Sequence, residues 1–320
     1  MAENLKTESI ACIGVGNVGR SWAVVFARAG FKVRLYDNDM ETVRKNALPA
    51  IRQSLDDLVA AGLLPESESV LERIEPAESL QQAVDGVIYV QESVKENLQV
   101  KQQVFSELGQ FAPTDAILAS STSAIPGSGF MQAAINPLRC IVAHPVNPPH
   151  LIPLVEICSS PWTSAETMDR CMELMQQVGQ EPIKVLKEIP GFILNRLQFS
   201  LVGEAMHLVG EGYCSPEDID KVLKHGLAMR WAFIGPFEVA HLNATLGFQG
   251  FVDGLGNMMR TLAKDAKVDY EWGAELASQI HAMLAEQTPI EKLPERQAWR
   301  DRRIMALRKH LQSAGEEIGD

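Results

Sequence analysis

Apolar and polar positions change rhythm twice along this chain. Over its first part, short apolar runs alternate with longer amphipathic stretches, which predicts strands at 10–13, 32–36, 87–90, 116–120, 140–143, 154–157 and 182–185. Helices are predicted between them at 17–29, 40–60 and 164–177. An open, mostly parallel sheet covered by helices is the layered arrangement that buries such a series. From Gly191 onward strand candidates cease, and Ile193, Leu197, Leu201, Ala205 and Leu208 fall at the spacing of one helical face. The Pro190-Gly191 pair begins a turn, so the reading is an α/β domain over residues 1–189 followed by an all-helical domain over 190–320. The charged stretch from Arg300 to Asp320 reads as a solvated terminal helix with a frayed end.

The first strand runs directly into Gly14-Val15-Gly16-Asn17-Val18-Gly19, and these residues open the first helix. In that context a GxGxxG is a dinucleotide-binding signal. Gly14 allows the tight turn, Gly16 keeps a side chain away from an approaching diphosphate, and Gly19 lets the helix pack closely on the strand. The unpaired N–H groups of the helix start then face the phosphates. The next strand ends in Asp37, where a carboxylate accepts hydrogen bonds from ribose hydroxyls and repels a ribose phosphate. The first domain is therefore read as a Rossmann-type domain that binds NAD in preference to NADP. Arg34 and Arg44 soften that preference, since either is long enough to bend toward a phosphate; Trp22, Val25, Phe26 and Ala29 are read as the packing side of the helix.

Size and charge narrow the remaining choices. A chain of 320 residues with 46% apolar side chains can bury two domains. The 29 basic against 41 acidic residues, a formal charge of -12, argue against nucleic acid as a partner. The start MAENLKTESI lacks the pattern of a secretory signal, and no run has the length of a membrane span. Cys12, Cys140, Cys158, Cys171 and Cys214 are scattered without a CxxC pair, which suits a reducing, cytoplasmic setting and offers no metal framework.

Hydride removal from an alcohol needs a base for the hydroxyl proton, and histidine suits that task. Of the seven histidines, His144 ends the apolar strand CIVA and begins the loop HPVNPPHLIP, at the sheet edge where open α/β folds present catalytic groups. Glu156, twelve positions on, falls within the apolar strand LVEI, where an unpaired carboxylate is costly. A His144–Glu156 pair resolves both, the carboxylate fixing the imidazole tautomer; a buried pair without chemistry is the structural alternative. Ser123 in ASSTSA is placed to donate to a reacting oxygen or to cap its own turn. Asn195 in GFILNRLQ is placed to hold substrate or nicotinamide, or to make an interdomain bond. No HExxH or compact His/Cys/Asp cluster supports a metal site.

Across nearly its whole length the chain resembles the 3-hydroxyacyl-CoA dehydrogenase superfamily, in GVGNVG, VQESVKENLQVKQQVF, ASSTSAIP, HPVNPPHLIPLVE and PGFILNRLQ. The segments IVAHPVNPPHLIPLVEI and GLAMRWAFIGPFEVAHLNA are similar to its lambda-crystallin and L-gulonate 3-dehydrogenase branch. The resemblance implies that His144 and Glu156 are the catalytic pair and that Ser123 and Asn195 surround the reacting oxygen. It places Asn147 in the loop after the histidine and sets Glu92 and Glu96 beside the nicotinamide, with local folding as their competing role. Acyl-CoA members commonly carry SNTS where this chain has Ser120-Ser121-Thr122-Ser123, which agrees better with small free hydroxy acids.

The reaction implied is oxidation of L-gulonate at C3 with reduction of NAD, in a homodimer joined through its helical domains. Arg230 is the candidate anchor for the substrate carboxylate, with a boundary ion pair as its competing role. L-Carnitine dehydrogenase and short-chain 3-hydroxyacyl-CoA dehydrogenase are the enzymatic alternatives, and a non-catalytic crystallin-like or NAD-sensing protein is the alternative of a different class.

Overall fold

A computed structural model describes residues 8–319. Eight strands form one sheet: β1 (Ser9–Ile13), β2 (Lys32–Tyr36), β3 (Ile74–Pro76), β4 (Tyr89–Glu92), β5 (Ile117–Ser120), β6 (Cys140–Pro145), β7 (Leu154–Ser159) and β8 (Glu181–Val185). Their order is β3-β2-β1-β4-β5-β6-β7-β8, and only β6 and β7 run antiparallel. The direction of winding reverses between β1 and β4, which opens a crevice beyond the carboxyl ends of those strands. Every residue of β4, β5 and β6 is buried, which is why they read as continuous apolar runs.

Helices cover both faces. Along the chain the longer ones are α1 (Asn17–Arg28), α2 (Leu48–Ala60), α3 (Leu98–Phe111), α4 (Ala165–Gln177), α5 (Phe192–Gly210), α6 (Gly247–Asp265), α7 (Ala274–Gln287) and α8 (Leu293–Ile318). On one face Trp22 and Phe26 of α1 stack at 5.2 Å and pack with Ile10, Leu35 and Tyr89. On the other, Phe105 of α3 meets Phe130 edge-on at 4.9 Å among Ile13, Val90 and Leu118. Each such large side chain, fully buried, contributes roughly 1.5–3 kcal/mol.

Two local differences from the predicted elements have physical causes. The helix expected over 40–60 is broken: a turn at Met40–Thr42, capped by the Asp39 carboxylate, passes through a wider π turn at Val43–Ala47 before α2 begins. Pro49 has no N–H to continue the regular ladder there. The strand expected at 87–90 lies two residues later, at Tyr89–Glu92.

The chain divides into two compact units, one running through Ile193 and resuming at Gln297, the other Leu194–Arg296. The expected helical domain over 190–320 therefore needs a correction at its far end. Residues from Gln297 pack with the first unit, because Met305 of α8 is buried in the core with Ile304 beside it. The charges around this apolar pair made α8 read as a solvated tail. Within the second unit, Gly203 of α5 lies against the Val268 carbonyl, where a Cβ would come within 2.2 Å. Phe237 meets Phe248 of α6 edge-on at 5.9 Å. Among the described residues no helix is long and apolar enough to cross a membrane.

Candidate active site

The glycine loop after β1 is built as its spacing requires. Gly14 has φ +89°, and a Cβ there would come within 2.6 Å of the Ser93 carbonyl oxygen. A Cβ on Gly19 would lie 1.8 Å from the Gly14 carbonyl oxygen, so α1 can approach β1 only without one. Gly16 meets nothing within 4 Å; the space over it is left for a ligand. The loop is fastened to β2 by Gly14 N donating to the Tyr36 carbonyl at 2.8 Å and Val15 N donating to Asp37 Oδ2 at 3.0 Å. A cleft of about 670 Å³ follows, lined by Gly14, Gly16, Asp37, Ser93 and Val94 among others.

Of the expected cofactor residues, Gly14, Gly16 and Asp37 face this cleft, while Val15 and Val18 pack into the core behind it. The Asn17 carboxamide accepts from Arg20 Nη2 at 2.5 Å. Arg34 donates to the carbonyls of Gln82 and Asp85, and Arg44 pairs with Glu78, so both are committed to other partners. The open space at Gly16, the orphan N–H groups at the start of α1 and the Asp37 carboxylate together fit a dinucleotide with an unmodified ribose.

For Glu92, which the resemblance sets beside the nicotinamide with local folding as the competing role, the structure shows the local bonds. Its side chain, at the end of β4, is fully buried. Lys101 Nζ of α3 donates to both of its oxygens, at 3.0 and 3.1 Å; Ser120 Oγ donates at 2.6 Å and Val94 N at 2.7 Å. A buried carboxylate tolerates this position only with such partners. Lys101 also reaches Glu96 Oε2 at 3.3 Å. Glu96 Oε1 in turn accepts from Thr122 Oγ1 at 2.6 Å, from the backbone N–H of Ser123 and Ala124 at 3.0 Å each, and from that of Ile125 at 3.3 Å. Burial opposes charge on Glu96, but the Thr122 bond, Lys101 and the backbone N–H groups outweigh it and hold the carboxyl below its ordinary value. Glu96 thereby clamps the loop that carries Ser123.

Lys101 was missed in the sequence, although a signal existed: Lys101, Phe105 and Leu108 are the buried residues of α3 and share one helical face. Ser121, at the position where acyl-CoA relatives of the resembled family carry asparagine, accepts from Trp22 Nε1 at 3.2 Å and Gln91 Nε2 at 2.7 Å.

His144 and Glu156 stand directly opposite each other across the antiparallel β6–β7 pair. His144 Nδ1 lies 2.8 Å from Glu156 Oε2, and both side chains are buried. The second oxygen, Oε1, accepts from Ile193 N at 2.8 Å. The Phe192 ring lies 5.3 Å from the imidazole, tilted by 34°. Nδ1 is thus engaged with a carboxylate, and Nε2 is the nitrogen left to exchange a proton. Register pairs Ser120 with Val142 on neighbouring parallel strands, so the loop bearing Ser123 and the imidazole of His144 emerge at the same sheet edge as the glycine loop.

Asn147 is exposed in the loop after β6 and lines a polar pocket of about 210 Å³ with Asn17, Arg20, His150 and Arg300. Asn195, half-buried in the first turn of α5, and Arg230, exposed on the short helix Ala228–Trp231, belong to the second unit. Among the described residues no group of three or more His, Cys, Asp or Glu side chains is arranged to hold a metal ion.

Comparison with known proteins gives this geometry a family. Residues 9–189 match the model of the 3-hydroxyacyl-CoA dehydrogenase NAD binding domain, and residues 191–276 match that of the 3-hydroxyacyl-CoA dehydrogenase C-terminal domain. A lambda-crystallin homolog from Rattus norvegicus is 41% identical over 305 residues, 94% of this chain and 95% of that protein. An L-carnitine dehydrogenase/betainyl-CoA thioesterase from Rhizobium meliloti is 35% identical over 253 residues, 78% of this chain and 50% of that protein. Among solved structures, 5-formyl-3-hydroxy-2-methylpyridine 4-carboxylic acid 5-dehydrogenase, an NAD+-dependent dismutase, superposes with a TM-score of 0.82 at 27% identity, covering 96% of this chain and 99% of that one.

Proposed function

Because this chain belongs to the 3-hydroxyacyl-CoA dehydrogenase family and is an NAD-dependent dehydrogenase, we propose that it oxidises a small free 3-hydroxy acid, L-gulonate at C3. The observation that carries the chemistry is the buried His144–Glu156 pair at 2.8 Å on the sheet edge shared with the glycine loop. The glycine loop and Asp37 would hold NAD, which would supply the hydride acceptor for the carbinol carbon. His144 Nε2 takes the hydroxyl proton, and Glu156 holds the Nδ1 proton and stabilises the imidazolium that results. Ser123 donates to the reacting oxygen from a loop pre-set by Glu96, and Asn195 supplies a second donor. Asn147 borders the substrate, and Arg230 anchors its carboxylate.

The choice of a free acid rests on the likeness to lambda-crystallin proteins over nearly the whole chain and on the replacement of SNTS by Ser120-Ser121-Thr122-Ser123. An acidic chain also offers little attraction to the phosphates of CoA. The likeness to an L-carnitine dehydrogenase supports a second reading, in which a quaternary ammonium replaces the polyol. NADH absorbance with L-gulonate, L-carnitine, L-3-hydroxybutyrate and a short 3-hydroxyacyl-CoA separates these. Turnover is expected with gulonate; turnover mainly with carnitine reassigns the substrate, and NAD binding without any turnover marks a crystallin-like or sensing role. An Arg230→Ala change that leaves KM for gulonate where a remote surface change leaves it removes the anchor.

A homodimer is part of the same reading. Leu197, Phe237 and Leu246 of the helical unit are 67%, 77% and 78% exposed in the single chain, more apolar surface than a lone helical unit normally leaves in water. Light scattering at the mass of two chains is the expected result. Four buried, unpaired cysteines suit a reducing compartment, the cytoplasm.

A further inference from the structure

Away from the cofactor cleft, two arginines converge on one neutral atom. Arg28, at the end of α1, donates through Nη1 to the His150 carbonyl at 2.9 Å; Arg308 of α8 donates through Nη1 to the same oxygen at 3.0 Å. Among the described residues these are their hydrogen bonds, and neither guanidinium pairs with a carboxylate. That is unusual in a chain with 41 acidic against 29 basic side chains. Both arginines are half-buried, and like charges drawn partly out of water without a counterion destabilise a fold. The strain is legible in the ionisation of the group: burial first, and Arg308 second, push Arg28 down to about 10. His150, in the same cluster, is held down to about 4 by burial and then by Arg28, Arg308 and Arg20, so it stays neutral and adds no further cation at pH 7.

Both guanidiniums line a cavity of about 220 Å³ whose other walls are Leu63, Val178, Gly179 and Gln312. That is several times the ~30 Å³ that one water occupies in the liquid. Gln312 offers an amide donor, Leu63 and Val178 give an apolar wall, and among the described residues no acidic side chain lines the space. Two guanidinium forks around such a space match a tetrahedral oxyanion. None of these residues lines the dinucleotide cleft.

We propose that Arg28 and Arg308, with Gln312, form a second binding site, for an oxyanion of the phosphate class, either the free ion or the phosphoryl group of a small metabolite. Occupancy supplies the missing negative charge and draws the guanidiniums from the His150 carbonyl. His150 lies in the loop that follows His144, so the anion acts on the support of that loop.

The test is calorimetric titration of inorganic phosphate, and separately of glycerol 3-phosphate, into the full chain saturated with NADH at ionic strength held constant with chloride. NADH fills the diphosphate cradle and removes it as a competing anion site. One saturable site per chain is expected, weakened about tenfold or more by Arg308→Gln and abolished by Gln312→Glu. Tighter binding of phosphate identifies the free ion as ligand; tighter binding of the ester identifies a phosphorylated metabolite. Gln312→Glu also places beside Arg308 the carboxylate it lacks, so its Tm without phosphate rises above the parent's and phosphate no longer raises it further. Heat that does not saturate with either probe overturns the site, as does binding by Arg308→Gln and Gln312→Glu equal to the parent's.

Discussion

Glu156 and Glu92 occupy similar surroundings and do different work. Each is a carboxylate buried within the same sheet; each accepts from a backbone N–H, that of Ile193 or Val94, and each is held by a basic side chain. The difference is the base. Glu156 faces an imidazole, whose ring nitrogens can each donate or accept a proton, whereas Glu92 faces an ammonium, which only donates. A histidine partner can lose and regain a proton at neutral pH and so take part in chemistry. A lysine partner makes a fixed charge pair, which here ties β4, α3 and the loop of Ser123 together. A buried carboxylate in a dehydrogenase is therefore not by itself a catalytic group; what it holds decides.

The sharpest way to break this contrast is His144→Gln. It keeps a hydrogen-bonding side chain opposite Glu156 but no base, and it should slow hydride transfer on the order of a thousandfold, about 4 kcal/mol of transition-state stabilisation, with NADH affinity unchanged. Stopped-flow NADH absorbance measures it, and an unaltered rate ends the assignment. Next in size is Lys101→Met, which strands Glu92 in the sheet. A loss of about 3 kcal/mol in denaturant unfolding is expected; an unchanged midpoint would mean the pair is no scaffold. Glu156→Gln should then cost about a hundredfold in kcat, roughly 2.7 kcal/mol, and should add little in the His144→Gln background, because the two act as one unit.

The smallest effect belongs to Glu96→Gln. The change weakens the clamp on the Ser123 loop by about 1.5 kcal/mol, discounted for the third of the side chain that remains exposed. The Glu96 carboxyl is held below 4.5 in the folded state. Its contribution is thus fully present above the unfolded value and is lost as pH falls through the lower folded one. Parent and variant should differ in Tm at pH 7 and converge as pH falls through that lowered value. A constant gap across that range would show that charge on Glu96 is irrelevant to the loop.

The glycine loop was legible because its chemistry is local: strand, spacing, helix and Asp37 lie within thirty residues, Gly14 and Gly19 each answer to a backbone contact seen in the fold, and Gly16 answers to open space. The His144–Glu156 pair was legible for another reason, that a carboxylate in LVEI demanded a partner and a strand-end histidine supplied one. The role of Glu92 was not, because VQES carries no trace of the lysine nine residues later that turns inward on α3. Only the buried face shared by Lys101, Phe105 and Leu108 hinted at it. The inward packing of α8 was hidden in the same way, by charges on both sides of Ile304 and Met305.

That last helix has a consequence for how the polypeptide is made. The second unit is an insertion between two pieces of the first, so a ribosome releases all of Leu194–Arg296 before the segment that covers Met305's site in the first core emerges. The nucleotide-binding half, although begun earliest, is completed latest. Until then its nascent form carries an uncovered apolar seat, a stretch of surface suited to capture by a chaperone.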